Sequence, residues 1–554
     1  MIEQDISGFI DGALSAEPAY AGCYSKELLV LENPKDPSHG DIAANIAFRL
    51  AKPMRKNPAE LAKEISKILS GKLASSPLRQ EIDAIEPLNG FVNIRLSAKA
   101  LRGVLGQIAQ QKEKFGSSAA GKGGKVQVEF VSANPTGTLS VAHARQAAFG
   151  DSLASILAAD GFDVTREYYI NDEGVQISIL GQSIYARYRE SVGEAYEFPE
   201  NGYKGEYIKE MAEEFRKEHG DKYKDETPAN LKVFSEWGCA YLLNEIKQEL
   251  SDFGVKFDVW FSQKALGASG KIEETLETFR GKGLLYESEG ALWFRSTQFG
   301  DDKDRVVKKS DGAYTYVTPD IAYHKDKFER GFGKVIDILG PDHHGYINRI
   351  KAAVQALGYP SDAVNIIIIQ LATLYKDGQP VKMSTRAGEY ITLREVLDEV
   401  GKDAARFFFL MRKASAHLDF DLELAKKQTQ ENPVFYVQYA HARICSIISA
   451  SGKTEAEIGK ADTGLLSAAE EINLLKELRQ YPLAVRLSAQ ELDPYRIITY
   501  LQGLAACFHK FYEANKVISE DSALTGSRLY LISCVKRVLA NGLTLLGVSC
   551  PVKM

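Results

Sequence analysis

The sequence predicts an α/β protein whose central part is a doubly wound, parallel-sheet (Rossmann-like) domain. Residues 126–130 alternate apolar and polar side chains as a strand does, and residues 149–157 carry apolar side chains at helical spacing. Residues 162–170, FDVTREYYI, alternate again. A strand, a helix and a strand within about 45 residues form a βαβ unit, which requires a parallel sheet. Two later strand-like runs, KVIDILG and NIIIIQLATLY, extend this sheet, the second as a buried central strand.

The regions on either side predict other architectures. Residues 1–115 mix helix-like stretches such as NPAELAKEISKIL with the strand-like GFVNIRLS, which indicates an α+β N-terminal domain. Residues 116–125, GSSAAGKGGK, have the composition of a linker. The Rossmann-like domain spans 126–424 and carries a charged, helical insertion at about 185–260. Residues 425–554 are predicted to be an all-α helical bundle, because stretches such as DPYRIITYLQGLAACFHKFYEA carry one apolar stripe.

The composition indicates a globular protein of the cytoplasm. Hydrophobic residues make up 45% and charged residues 26% of the 554 positions. No apolar run approaches the length of a membrane span, and the N-terminus lacks the basic start and apolar core of a secretory signal. The six cysteines are far apart and form no C-x-x-C pair, so we expect free thiols and no metal site. We expect no membrane partner and a monomer.

The stretch SANPTGTLSVAHARQAAFGD, residues 132–151, lies where a ligand site is expected. Parallel α/β sheets bind ligands at the carboxyl ends of their strands, where helix N-termini offer unpaired N–H groups to anions. His143 falls in the first turn of the predicted helix, near where a phosphate would lie. Read alone, these residues favour an ordinary turn, with His143 as a surface histidine.

A second stretch, DGQPVKMSTRAGEYITL at 377–393, places Lys382 and Ser384 in a loop after a strand. A lysine and a hydroxyl suit a transferring phosphate, although this is not a Walker loop. The motif is weak by itself, and it gains meaning only together with the first stretch.

Taken together, these stretches resemble a class I aminoacyl-tRNA synthetase, and closely the arginyl-tRNA synthetases. The matching segments appear in that family's order and cover nearly the whole chain: VEFVSANPTG, YYINDEGVQI, GYKGEYI, GDDKDRVVKKSDGAYTYVTPDIAYH, GPDHHGYINR, VKMSTRAGEYITL, GKDAARFFFLMRK, FDLELA, NPVFYVQYAHARI and VLANGLTLLGVSCPVKM. The resemblance implies that ATP activates the carboxylate of L-arginine to an adenylate, with release of pyrophosphate. The adenylate then esterifies the terminal adenosine of tRNA, with release of AMP.

By this resemblance, ATP lies between two motifs that both depart from the family pattern. The H-x-G-H turn is Ser140-Val141-Ala142-His143, and the K-M-S-K loop is represented by Lys382, Met383, Ser384 and Thr385. The resemblance implies catalytic roles for His143, Lys382 and Ser384, with Asp342, His343 and His344 bordering the nucleotide. Losing one well-aimed donor costs roughly 3 kcal/mol of transition-state stabilisation. We therefore expect another cation to compensate, with Lys376, Lys382 and Arg386 as candidates.

The resemblance also assigns an arginine pocket. A guanidinium needs carboxylates and benefits from an aromatic face. Glu129 and Asp320 would supply the carboxylates, Tyr316 the aromatic ring, and Asn134 a partner for the α-amino group. The adjacent histidines of GPDHHG lack a third ligand at metal-binding spacing, so Mg²⁺ is expected only as the companion of ATP.

Contacts with tRNA are implied at both ends of the chain. In the N-terminal domain the resemblance places Phe91 and Asn93 near the elbow loop of tRNA. In the bundle, YVQYAHAR combines stacking rings with a charge that binds phosphate. The candidates there are Tyr436, Gln438, Tyr439, His441 and Arg443, of which helical spacing must place some in the core.

One alternative stays open in the sequence. The altered ATP motifs favour a paralogue that kept the fold and binds RNA without adenylation. The preserved set of Glu129, Tyr316 and Asp320 favours an enzyme, since an RNA-binding protein does not need a guanidinium pocket. A dinucleotide-dependent oxidoreductase is disfavoured, because NPTGTLSVAH is not a glycine fingerprint.

Overall fold

The computed structural model describes residues 2–34, 36–194, 196–381 and 391–554. The N-terminal region packs helices on a four-stranded antiparallel sheet of strand order β1-β2-β4-β3. Its elements are α1 (Ile2–Ser15), β1 (Leu31–Glu32), β2 (Ile42–Ala44), α2 (Ile46–Met54), α3 (Pro58–Leu73), β3 (Ile82–Leu88), β4 (Phe91–Leu96) and α4 (Ala98–Gln111). The expected linker is a packed loop, since the Ser118 N–H donates to the Ala159 carbonyl at 2.8 Å.

The central region begins with the βαβ unit that the sequence predicts and continues through the helical insertion. The first elements are β5 (Lys125–Glu129), α5 (Val141–Ala159), β6 (Asp163–Ile170), α6 (Val175–Ser191), α7 (Glu206–His219), α8 (Pro228–Asp252), β7 (Val259–Ser262), α9 (Gln263–Ala268) and α10 (Lys271–Gly281). The remaining elements are β8 (Leu285–Ser288), β9 (Ala291–Phe294), β10 (Arg305–Lys308), α11 (Val317–Glu329), β11 (Lys334–Leu339), α12 (Ile347–Leu357), β12 (Val364–Ile368), β13 (Ala372–Lys376), β14 (Gln379–Pro380), α13 (Leu393–Phe409), β15 (Leu418–Asp421) and α14 (Leu422–Lys426).

Five of these strands form one parallel sheet of order β12-β11-β5-β6-β7, which confirms the doubly wound α/β class. The prediction for NIIIIQLATLY is wrong. Its first half is β12, an edge strand of the sheet, and its second half is β13, which pairs with β14 and β15 in a separate sheet. An apolar run alone cannot distinguish a central strand from an edge strand that neighbouring segments cover.

The C-terminal region is all helical, as the sequence predicts. Its helices are α15 (Pro433–Ser451), α16 (Glu455–Ile458), α17 (Ala469–Glu491), α18 (Tyr495–Ala514) and α19 (Ser522–Leu545). The predicted stripe of α18 is buried, including Ile497, Leu501 and Phe508. The exact domain boundaries stay predictions. Across the part of the chain that the structure describes, no helix is both long and apolar enough to cross a membrane.

Helix α5 is held in place by two buried guanidinium groups. Arg145, which is 1% exposed, donates to the carbonyls of Gln370 and Lys413 at 2.6 and 3.1 Å, and also to those of Leu371 and Ala416. Six residues further along α5, Asp151 accepts from Arg406 at 2.6 Å and from Arg166 at 3.0 Å. The start of α5 is therefore fixed to β12, β13 and the segment after α13.

We expect Asp151→Asn to destabilise the protein, because Arg406 would keep a buried charge without its carboxylate. Breaking one partner of a buried ion pair costs about 3 kcal/mol or more. Thermal unfolding followed by circular dichroism should show a lower midpoint than for the wild type. Asp163→Asn, at an exposed position at the start of β6, is the matched control and should leave the midpoint unchanged. Equal midpoints for Asp151→Asn and the control would contradict this view of α5.

Candidate active site

A cavity of about 500 Å³ opens at the carboxyl ends of β5, β6 and β11. The N-terminal turns of α5 and α11 and the turn after β11 complete its walls. It brings together seven of the predicted site residues, which lie far apart in the sequence: Glu129, Asn134, His143, Tyr316, Asp320, Asp342 and His343. Ser140, Ala142 and His344 adjoin these residues in the chain without lining the cavity.

The turn after β5 has an unusual backbone that orients Glu129. Val131 and Ser132 adopt φ angles of 68° and 40°, in the left-handed region that non-glycine residues rarely occupy. In this conformation the Ser132 hydroxyl donates to Glu129 Oε1 at 3.1 Å and accepts from the Tyr169 N–H at 3.1 Å. The strained turn thus binds β5 to β6 and fixes one oxygen of Glu129.

The other oxygen of Glu129 contacts a buried lysine. Lys327, on α11, donates to Glu129 Oε2 at 2.6 Å and to Asp337 Oδ1 at 2.7 Å. Its ammonium also lies 4.2 Å from the centre of the Tyr323 ring. Burial acts to lower the pKa of Lys327, but the charges of Asp337 and Glu129 outweigh it and raise that pKa, so the lysine is charged.

Asp320, in the first turn of α11, is a half-buried carboxylate at the cavity wall. Burial raises its pKa to about 6, although the Tyr346 hydroxyl and the nearby His324 favour the ionised form. Tyr316, just before α11, is 83% exposed, so its ring is available to a ligand at the mouth. Asn134 is exposed, and its side-chain amide donates to Gln176 Oε1 at 2.7 Å.

His143 is held as a neutral donor. The Ser140 backbone N–H donates to His143 Nδ1 at 3.1 Å, so Nδ1 is an acceptor and the proton lies on Nε2. Burial lowers the pKa of His143 to about 4, against a weaker opposite effect of Asp342. The side chain therefore offers an N–H group, and not a positive charge, to whatever lies in the cavity.

The remaining nucleotide-site predictions fall into two groups. Asp342, His343 and His344 lie in an exposed 3₁₀ turn after β11. The predicted loop residues Lys382, Met383, Ser384 and Thr385 lie outside the described residues, as does Arg386. Of the candidate compensating cations, Lys376 forms an ion pair with Glu399 at 3.0 Å.

The residues predicted to contact tRNA differ in how exposed their side chains are. Phe91 is half-buried and packs edge to face on Phe48, with ring centres 4.9 Å apart. The prediction for Asn93 needs correction, because this side chain is only 5% exposed and so is unsuited to contact RNA. In the bundle, Arg443 lies 5.5 and 4.9 Å from the ring centres of Tyr439 and Tyr512. Tyr436 packs on His509, with the two ring centres 4.6 Å apart. Tyr436, Tyr439 and Arg443 are all half-buried.

Two predictions in the bundle need correction. Gln438 is buried and donates to Asp403 Oδ2 at 2.8 Å and to the Ser549 carbonyl at 3.0 Å. His441 is also buried, and its Nδ1 lies 2.9 Å from the Pro551 carbonyl. Both side chains hold the C-terminal segment on α15, so they are unsuited to contact RNA.

Several residues in or directly behind the cavity wall are not predicted by the sequence. His324 and Lys327 follow Asp320 by four and seven positions on α11, and Tyr346 lies in the same GPDHHGYINR segment as Asp342. Extending helical periodicity from Asp320 would have identified the first two. Asp337, in the middle of β11, gave no such signal. Among residues 2–34, 36–194, 196–381 and 391–554, no group of three His, Cys, Asp or Glu side chains could hold a metal ion.

Three family models together match almost the whole chain. Residues 2–96 match an arginyl tRNA synthetase N terminal domain, residues 104–434 match the catalytic domain of tRNA synthetases class I (R), and residues 437–554 match a DALR anticodon binding domain.

Individual relatives agree with these models. The chain is 48% identical to an arginine–tRNA ligase of Geobacter sp. (strain M21), over 99% of this chain and 97% of the relative. It is also 48% identical to an arginine–tRNA ligase of Anoxybacillus flavithermus, over 95% and 94%. The structure of Thermus thermophilus arginyl-tRNA synthetase superposes with a TM-score of 0.78 over 100% of both chains, at 22% identity, and so supports the fold alone.

We expect His143 to stay neutral until the pH approaches 4, because burial lowers its pKa from 6.5 to about 4. Between these values the unfolded chain binds a proton that the folded chain does not, so acidification opposes folding at this position. NMR of histidine-labelled protein, with His143→Gln to assign the signal, measures this titration. An imidazolium signal for His143 at pH 6 would contradict the neutral-donor assignment.

Proposed function

The chain belongs to the arginyl-tRNA synthetase family, and on that premise we propose which residues serve each substrate. The reaction is the ATP-dependent attachment of L-arginine to its tRNA. The arginine carboxylate attacks the α-phosphorus of ATP, and pyrophosphate leaves. A hydroxyl of the terminal adenosine of tRNA then attacks the adenylate carbonyl, and AMP leaves.

For arginine, the proposal rests on one juxtaposition: Glu129, Asp320 and Tyr316 line the same cavity as His143. Asp320 binds the guanidinium as its main charged partner, and Glu129 bounds the pocket from β5. Tyr316 covers the mouth, where its exposed ring can lie against the planar cation. Asn134, which lines the same cavity, receives the α-amino group through its amide oxygen.

For ATP, we propose that the Nε2–H of His143 donates to a phosphate oxygen at the N-terminus of α5, where the helix dipole also favours an anion. Asp342, His343 and His344 border the nucleotide. Lys382 and Ser384 act on the triphosphate from the loop outside the described residues. Mg²⁺ would accompany ATP and shield phosphate charge. Because the described residues offer no three-carboxylate cage, the phosphates themselves would provide most of its ligands.

For tRNA, we propose two contact areas. The Phe48–Phe91 pair offers a ring surface on which a base of the elbow loop can stack. On the bundle, Tyr436, Tyr439 and Arg443 combine rings and a cation, as the recognition of unstacked anticodon bases requires.

The enzyme is preferred over the RNA-binding paralogue for two reasons. The chain matches relatives named as ligases along nearly its full length. In addition, Asp320, Glu129 and Tyr316 line one cavity and together suit a guanidinium group. A protein that only binds RNA would not need such a pocket.

We expect Asp320→Asn to reduce kcat/KM for arginine by at least about 100-fold, because a charge-assisted bond to the guanidinium is lost. Binding of tRNA should stay within about twofold of the wild type. The measurement is esterification of labelled arginine to tRNA with Mg-ATP, alongside filter binding of tRNA. Asp311→Asn, in an exposed turn before α11, is the matched control. Normal charging by Asp320→Asn would refute the pocket, whereas no charging by the wild type would refute the function.

We expect Arg443→Ala to weaken tRNA binding by about tenfold, since it removes a cation and leaves the Tyr439 ring less well supported. The KM for arginine should not change. The test is to measure tRNA binding at two or more salt concentrations. When a contact with a phosphate is lost, the affinity for tRNA depends less steeply on the salt concentration. Lys460→Ala, an exposed lysine of the same bundle, controls for the loss of one positive charge. Equal effects of the two variants would contradict a specific role for Arg443.

A further inference from the structure

Four charged side chains form a buried cluster at the inner end of the cavity. They belong to β5, α11 and β11, and their exposed fractions are 7% for Glu129, 4% for His324, 0% for Lys327 and 4% for Asp337. Lys327 bridges the two carboxylates, with bonds of 2.6 and 2.7 Å. Buried charges are costly unless they are paired, so the protonation of each member matters for the pocket.

The hydrogen bonds of His324 define its charge. Its Nδ1 lies 2.7 Å from the backbone carbonyl of Asp320, and its Nε2 lies 2.9 Å from Asp337 Oδ2. Both partners are acceptors, and a neutral imidazole has only one N–H to donate. Burial acts to raise the pKa of Asp337, but the charges of Lys327 and His324 outweigh it and hold that pKa below its ordinary value. Asp337 is therefore ionised, and both nitrogens of His324 carry protons.

The cluster is then balanced, with two carboxylates facing two cations. Asp320 is the additional carboxylate at the cavity wall, and it is not part of this balance. The groups that face it are the Tyr346 hydroxyl from the turn after β11, Arg349 from α12, Glu129 from β5, Tyr169 from β6 and His324 from its own helix. His324 and Arg349 favour its ionised form, whereas Glu129 opposes it.

We propose that His324 is a positioning residue for arginine: as a buried imidazolium it cancels the charge of Asp337, so that Asp320 stays ionised and its charge is left for the guanidinium. This inference rests on the proposed function and deepens it. The pocket then accepts one positive charge and no more. Citrulline, which has the shape of arginine without its charge, would leave Asp320 unpaired.

Removing the imidazolium should change the protonation of the pocket. Without His324, Glu129 and Asp337 would share Lys327 as their one buried cation, and the excess negative charge would favour uptake of a proton by a neighbouring carboxylate. Asp320 would take it, because burial already raises its pKa to about 6. A protonated Asp320 cannot pair with the guanidinium. Arginine use should therefore fail at low pH and recover at higher pH, where Asp320 loses the proton.

The experiment measures kcat/KM for arginine from pH 5.5 to 9 by charging of tRNA with labelled arginine. For the wild type we expect an acid limb near pH 6, below which activity falls. His324→Gln should move this limb upward by about one pH unit, as expected when a nearby opposite charge is lost. At saturating arginine, the pH profile of kcat/KM for ATP should stay that of the wild type, because the bonds of His324 go to Asp320 and Asp337 in the proposed arginine pocket.

A double variant separates charge from packing. His324→Gln with Asp337→Asn replaces an ion pair by two amides and restores the charge balance, so its acid limb should return to within about 0.3 pH units of the wild type. If His324→Gln alone does not fold, the double variant still tests the proposal through the position of its acid limb. Lys325→Gln is the matched control, because this neighbouring lysine of α11 pairs with Glu274 and Glu329 away from the cavity.

Three results would overturn the inference. The first is an acid limb in His324→Gln at the same pH as in the wild type, and the second is a loss of kcat/KM for arginine in His324→Gln that is equally large at pH 6.5 and 8.5. The third is an acid limb in the double variant at the same pH as in His324→Gln. The wild type decides the proposed function separately. If it charges tRNA with arginine, the shift between variants tests only His324. If it does not charge at any pH, the proposed function fails first.

Discussion

The bonds from Arg145 to four backbone carbonyls are the constraint on which the site depends. A buried guanidinium has five N–H donors, and its charge must be offset by acceptors when water is excluded. Here the acceptors are the carbonyls of Gln370, Leu371, Lys413 and Ala416. Two of them, Gln370 and Leu371, lie in the link between β12 and β13, so the bonds join α5 to the point where the chain passes from one sheet to the other. Arg145 is two residues from His143, and the start of α5 therefore cannot shift without breaking this set.

A short antiparallel bridge extends this constraint from the turn before α5 to the start of α13. Ser140 and Thr392 form an isolated bridge, in which Leu393 donates to the Leu139 carbonyl at 2.7 Å and Val141 donates to the Ile391 carbonyl at 3.3 Å. Thr392 also caps α13, where its hydroxyl and backbone bond to Glu395. The turn before α5 and the start of α13 are therefore joined by the same backbone bonds.

The sequence predicted the parts of this molecule that depend on local pattern and missed those that depend on distant contacts. The βαβ unit and the helical stripe of α18 were predictable because periodicity reports burial of one face. The place of β12 at the sheet edge depends on which strands are neighbours, which no local pattern records. The pairing of Glu129 with Lys327 joins positions 198 residues apart, so the sequence identified the carboxylate without its cation. In the same way, Gln438 is a residue type that often contacts RNA, yet its side chain is buried and held by hydrogen bonds to Asp403 and Ser549.

The geometry also changes how the altered H-x-G-H turn should be read. From the sequence, Ser140 in place of histidine looks like the loss of a phosphate-binding charge. In the structure, however, burial keeps His143 neutral in the same turn, so the histidine that this turn retains is an N–H donor and not a cation. Ser140 replaces the other imidazole of the motif by a hydroxyl, which can also donate a hydrogen bond. The bond that orients His143 comes from the backbone of Ser140, which any residue except proline can provide. The substitution is therefore milder for ATP binding than the motif alone indicates, and the need for a compensating cation rests on the second motif.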